Sequence, residues 1–201
     1  MLLAHLVPGY FAAVGTKPRW QADWTPLQRR GLWAAALVSS FAPDFDVLYN
    51  AVFRGFVNHS FLWTHSIFLH GGIALIGWLV YRTRRFPYLA ALLGLVALGG
   101  LSHLLLDVIS HGTPIFYPLE MTVVGAPSTR VLLGGIRGYL TDPIFLLEPP
   151  LIAAALAHWA YGHLRARRRL LALIAIMNGM LLFVAGYFAL LLVLQRAVPV
   201  P

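Results

Sequence analysis

The sequence predicts an all-α fold, a polytopic transmembrane bundle of about five to six helices, and three observations predict it. Hydrophobic residues fill 59% of the 201 positions and charged residues only 11%, with a mean hydropathy of +0.75. A soluble domain carries about 25% charged residues. Four apolar runs, Phe61–Tyr81, Phe86–Ile109, Pro143–Leu164 and Leu170–Gln195, reach the ~20 residues that a helix needs to cross a bilayer. Finally, eleven of the fifteen Lys and Arg residues sit in three short loops: Lys17, Arg19, Arg29 and Arg30; Arg82, Arg84 and Arg85; Arg165, Arg167, Arg168 and Arg169. The positive-inside rule assigns such loops to the cytoplasm.

Each element follows in order from those anchors. Met1–Val14 reads as a short or partly inserted helix; it lacks a basic n-region and contains His5 and Pro8, so it does not read as a cleaved signal. Gly31–Phe53 then runs outward, with a break or kink expected at Pro43. Phe61–Tyr81 returns inward and Phe86–Ile109 runs outward. Gly112–Thr141, rich in Pro and Gly, becomes an external connection, and a loop of that length is usually either functional or disordered. Pro143–Leu164 and Leu170–Gln195 close the bundle. The chain 1–201 is expected to be one membrane-embedded domain, with its motifs in 1–118 and its C-terminal membrane helices in 142–196. The location expected is the cytoplasmic (inner) membrane.

The same threading sorts the chemistry. Six of the seven acidic residues (Asp44, Asp46, Asp107, Glu120, Asp142, Glu148) and five of the eight histidines (His5, His59, His65, His103, His111) fall toward the extracytoplasmic face. The net charge of +8 is carried mainly by topology anchors, so no nucleic-acid partner is expected. There are no cysteines, which excludes disulfides, thiolate zinc sites and cysteine nucleophiles.

His103, Asp107 and His111 recur every fourth residue and therefore share one helical face. An ionisable side chain at the centre of a membrane helix costs roughly 2.5–3.5 kcal/mol, so such residues pair, bind metal or line a wet cavity. Asp44 and Asp46 follow Pro43 at a helix break where two carboxylates can converge. Held close without a cation they would repel and protonate, whereas a divalent ion removes the conflict. The alternative for Asp44 is a helix cap. His59 and His65, with Thr64 and Ser66, add imidazoles at the entrance to the next helix. His70 reads as a packed helix residue, His158 and His163 as interfacial. Arg130 and Arg137 in the external connection are candidate contacts to a substrate phosphate, against a default reading as charges of a solvated loop.

The order of His5, Pro43-Asp44-Phe45-Asp46, His59 with Thr64-His65-Ser66, Leu101-Ser102-His103 with Asp107, Gly112 and Tyr117-Pro118 resembles the YdjM-type family, LexA-associated inner-membrane metal-dependent hydrolases. In that family the His-Thr-His-Ser element is usually His-Arg-Gly-x-Thr-His-Ser; here the Arg is absent and His59 lies one residue further away. The ligand order is also distantly similar to that of zinc-dependent phospholipases C and P1-type nucleases, which implies phosphodiester hydrolysis.

Imidazoles and carboxylates without sulfur suit zinc, one to two ions, with manganese or iron as alternatives. The candidate ligands are His5, Asp44, Asp46, His59, His65, His103, Asp107 and His111. Asp107 is placed to bridge two ions, and Asp46 is either a ligand or the base that orients water. The expected function is metal-dependent hydrolysis of a phosphoester of a membrane lipid or lipid-linked substrate by activated water at the extracytoplasmic face. The alternative is a metal-binding membrane protein or transporter without hydrolytic activity. A lipid phosphatase of the type 2 kind is disfavoured, since its Lys-x6-Arg-Pro and Pro-Ser-Gly-His motifs are missing. Substrate identity and oligomeric state stay open.

Overall fold

The computed structural model describes residues 3–20, 23–54, 62–125 and 142–196. Among them are seven α-helices and no strand: α1 (Leu6–Thr16), α2 (Pro26–Phe41), α3 (Phe45–Phe53), α4 (Ile67–Thr83), α5 (Pro87–Ser110), α6 (Glu148–His163) and α7 (Ala166–Arg196). Short 3-10 turns lead into α1, α3, α4 and α6. With α3 counted as the continuation of α2, the expected helical bundle of about five to six helices is present.

Local chemistry explains the boundaries. Thr25 and Gln28 form a reciprocal capping box at the start of α2, with Pro26 in the first turn. Pro43 has no amide hydrogen and cannot continue that helix, so the expected outward segment 31–53 is divided at Ala42–Asp44 into α2 and α3. Helix α4 begins at Ile67 and not at Phe61. Ser66 is extended and its Oγ accepts the Phe68 amide at 3.2 Å, which starts the helix there and leaves Leu62–His65 as a 3-10 turn. Arg84, in the left-handed conformation (φ 57°), ends α4, and Pro87 opens α5.

These breaks change the count of full spans. Among the described residues, three stretches are long and apolar enough to cross a membrane: Pro87–Ser110, Ile144–His163 and Ala166–Leu190. With 17 residues, α4 is about 25 Å long, less than the ~30 Å hydrocarbon core. Helix α7 presents Leu170, Ile174, Met177, Leu181, Leu182 and Phe188 to its surroundings. An apolar surface of that extent fits lipid, not water.

Helix α5 is the hub, packed against α4, α2 and α1. Small residues allow the approach. A Cβ on Gly99 would collide with Ser39 of α2, and one on Gly100 with the His70 ring of α4. The pairs Gly100/His70 and Gly77/Leu93 make α4 antiparallel to α5, while Gly31/Tyr88 and Ser39/Gly99 make α2 parallel to it. Gly9 lies against Ala36 and Ser40, so α1 runs back along α2. Helix α6 follows α1, with the Tyr10 hydroxyl 2.9 Å from His158 Nδ1. The start of α6 is tied to α7 where Asp142 caps Ile144 and its carbonyl accepts the Tyr187 hydroxyl.

These directions collect the three Arg-rich connections at one end of the bundle. An apolar core of Ala13, Trp24, Leu32, Ala36 and Leu95 fills that end. The other end holds the start of α1, the α2–α3 junction, the start of α4 and the last two turns of α5.

Candidate metal centre

Four chain segments deliver side chains to that second end. Asp44 sits at the N-cap of α3 yet makes no capping bond. Its oxygens turn instead toward histidines: Oδ2 is 3.0 Å from His5 Nδ1, and Oδ1 is 3.4 Å from His103 Nε2 and 3.8 Å from His65 Nε2. The helix-cap alternative for Asp44 is thereby displaced. His103 and Asp107 come one turn apart from α5, and His111 follows as its C-cap.

Second partners aim the imidazoles. His103 Nδ1 donates to the Ser40 carbonyl, in the last turn of α2, at 3.0 Å. His111 Nδ1 donates to the Gly112 carbonyl at 2.8 Å. The Thr64 hydroxyl donates to the Pro43 carbonyl at 3.4 Å and so accepts from His65 Nδ1 at 3.1 Å. His5 Nδ1 donates to Asp44. In every ring the hydrogen is drawn to Nδ1, and the lone pair of Nε2 is left as the ligand.

All four Nε2 atoms converge on Asp107. Those of His103 and His65 lie 3.1 and 3.5 Å from its Oδ2; those of His111 and His5 lie 3.1 and 3.2 Å from its Oδ1. A neutral Nε2 and an ionised carboxylate can both only accept, so at these separations they repel unless a cation lies between them. His5 Nε2, His103 Nε2 and both Asp107 oxygens are buried without a hydrogen-bond partner. Buried polar atoms are almost always paired, so this concentration calls for a ligand.

The donor set fits a divalent ion. One ligand atom each from Asp44, His65, His103 and Asp107 falls within 4.8 Å of the others, and all four residues are buried. A tetrahedral shell with bonds of ~2.0–2.1 Å has edges of roughly 3.3–3.4 Å. The His–Asp separations across this group run from 3.1 to 3.8 Å.

Not every expected residue joins the group. Asp46 is buried at 3% exposure in the first turn of α3 but lies outside the four-residue set, as does Asn50, one turn further on the same face. His5 and His111 meet Asp107 from its other oxygen. His59, Arg130 and Arg137 lie outside the described residues.

Two supports have no spacing signal in the sequence. The Ser40 carbonyl is backbone. His70 is a packed helix residue outside the ligand group, as its sequence context predicts, and its Nε2 donates to the Thr64 carbonyl at 2.9 Å, which steadies the residue before His65. The absence of a side chain at Gly100 makes room for its ring. Beyond α5, the Ile115 carbonyl accepts Ile67 N–H at 2.8 Å and the Tyr117 carbonyl accepts the Ser66 hydroxyl at 2.6 Å. The start of the long connection is thereby fastened beside His65.

The family model described as YdjM inner membrane protein matches residues 1–194, and the chain belongs to that family. No curated protein and no solved structure matches it.

Proposed function

We propose that this member of the YdjM family is a membrane-embedded metal-dependent hydrolase whose substrate is a phosphoester of a lipid or lipid-linked carrier. The observation that carries it is the convergence of four Nε2 atoms on one buried, hydrogen-bond-free carboxylate at an end of an apolar bundle. Zinc, for which the donor set is suited, would supply Lewis acidity and, where a coordination place stays open, a nucleophilic water near neutral pH. The chain's part is to hold Asp44, His65, His103 and Asp107 as ligands and to lock each imidazole through its Nδ1 partner. Asp46, buried in the first turn of α3 two residues after Asp44, is the candidate to orient water. At the end of a membrane helix, an amphiphile can present its headgroup while its tails stay in lipid. By the charge of the three Arg-rich connections at the opposite end, the site faces the extracytoplasmic side.

A second reading, a closed structural metal site, is favoured by the near-complete burial of the four ligands. Transport has less support, because the apolar core around Leu32, Ala36 and Leu95 stands where a polar route would continue. The test is release of phosphorylated or dephosphorylated headgroups from mixed lipid vesicles by zinc-loaded protein. Activity is expected to be sensitive to chelator and lost in folded His103→Ala. Cleavage of soluble esters or peptides but of no lipid phosphoester would overturn the substrate and leave the hydrolase; zinc retained without turnover of any of them would leave the structural reading.

A further inference from the structure

We infer that the centre holds two divalent cations, one on each carboxylate oxygen of Asp107, and that the second position is made by Oδ1 with His5 and His111. The inference rests on the metal-centre reading and goes beyond it in assigning a site outside the group of four.

The two oxygens of Asp107 are served by different imidazoles. Oδ2 faces His65 and His103, the pair that also faces Asp44 Oδ1. Four ligand atoms complete a tetrahedral shell there, with none to spare. Oδ1 faces His5 Nε2 at 3.2 Å and His111 Nε2 at 3.1 Å, and neither residue belongs to the group of four. Both His5 Nε2 and Asp107 Oδ1 are buried and lack a hydrogen-bond partner. The side chains of His5 and Asp107 are 1% and 0% exposed, so an ion on Oδ2 leaves two acceptors on the other side still facing each other.

Each half has its own anchoring. His5 Nδ1 is held by Asp44 Oδ2, the oxygen turned away from His103, and His111 Nδ1 by the Gly112 carbonyl. Asp44 thus ligates on one side and orients a ligand on the other. Carboxylate-held imidazoles of this kind are the common outer support of metal ligands.

The two positions differ in access. The first is closed by four protein ligands. The second has three, and its His111 side chain is 16% exposed while the other ligands are essentially enclosed. Three protein ligands and an open coordination place distinguish catalytic from structural zinc. Two divalent ions also outweigh the carboxylates of Asp44 and Asp107, even with Asp46 counted. The excess positive charge favours an anionic group such as a phosphoester at the open place.

The bland alternative is a proton: His5 as an imidazolium bridging Asp44 and Asp107, with one metal only. Zinc stoichiometry separates the two. Purified, detergent-solubilised protein is stripped with chelator, reloaded with zinc, desalted and analysed by elemental mass spectrometry, with circular dichroism confirming helix content. The expected result is about two ions per chain in the wild type and about one in His111→Ala. His111→Gln, which keeps more of the volume of the partly exposed ring, guards against loss of folding. A second measurement uses manganese alone: a spin-coupled spectrum is expected in the fully loaded wild type and an uncoupled six-line spectrum in His111→Ala. One zinc per chain, unchanged by either His111 substitution, overturns the second position and leaves the metal centre standing. No retained zinc in the wild type overturns both.

Discussion

The two halves of α5 pack against the same neighbouring helices and obey different rules. In its first half Ala90, Leu95 and Ala97 are buried, Leu95 in an apolar core with Ala13 of α1 and Leu32 and Ala36 of α2. What matters there is volume, and a different close-fitting apolar set could serve. In its last two turns His103 and Asp107 are buried completely. They are held by named atoms on separate segments: Ser40 within the last turn of α2 and Asp44 after it, His5 before α1, His65 before α4. The helix is thus a packing element at one end and a ligand rail at the other. Damage to the first half should lower stability and leave metal affinity alone; damage to the second should remove metal from a chain that still folds as a helical bundle.

Substitutions in the two halves can break this division. Asp107→Asn has the largest expected effect, since it takes away the carboxylate on which all four Nε2 atoms converge. Zinc retained after desalting is expected to disappear, while the helix content seen by circular dichroism stays. Full retention of zinc would end the idea of two functional halves. Leu95→Ala, in the apolar half, is expected to cost about 2–5 kcal/mol of stability with unchanged zinc content. Denaturant titration and elemental analysis on the same preparation check both, and loss of zinc in the folded variant would show the halves to be coupled.

A finer cut falls on His70, which touches both worlds, its ring against Gly100 and its Nε2 on the Thr64 carbonyl. His70→Ala is expected to weaken zinc binding about 10–100-fold, the usual cost of removing an outer support. His70→Asn, which restores a donor, should recover part of it. Competition with a fluorescent chelator measures the change. Equal affinities for Asn and Ala variants would make His70 packing only.

Sequence periodicity revealed the ligand rail because α5 is regular: a spacing of four places His103, Asp107 and His111 on one face before any tertiary contact is known. Asp44 was legible for a local reason, the helix break that Pro43 imposes. His5 was the least legible member, since its partners Asp44 and Asp107 are remote in sequence and a lone histidine in an apolar segment has no periodic signature. Hydropathy gave the long helices but not where α4 begins. The apolar run from Phe61 is interrupted by the polar Thr64-His65-Ser66, and averaging over the run passes across that break; the Ser66 hydroxyl, which takes the Phe68 N–H, is where the helix starts. The carbonyls that aim the imidazoles have no sequence signal at all.

X-ray absorption at the zinc K-edge of the reloaded, desalted protein is the decisive measurement for the buried His/Asp centre, because it reports the atoms around the metal without reference to any activity. The expected spectrum shows a nitrogen and oxygen shell at about 2.0–2.1 Å with the multiple-scattering pattern of imidazole, lost in Asp107→Asn. A water-only shell, or zinc whose surroundings are the same in Asp107→Asn as in the wild type, would contradict it.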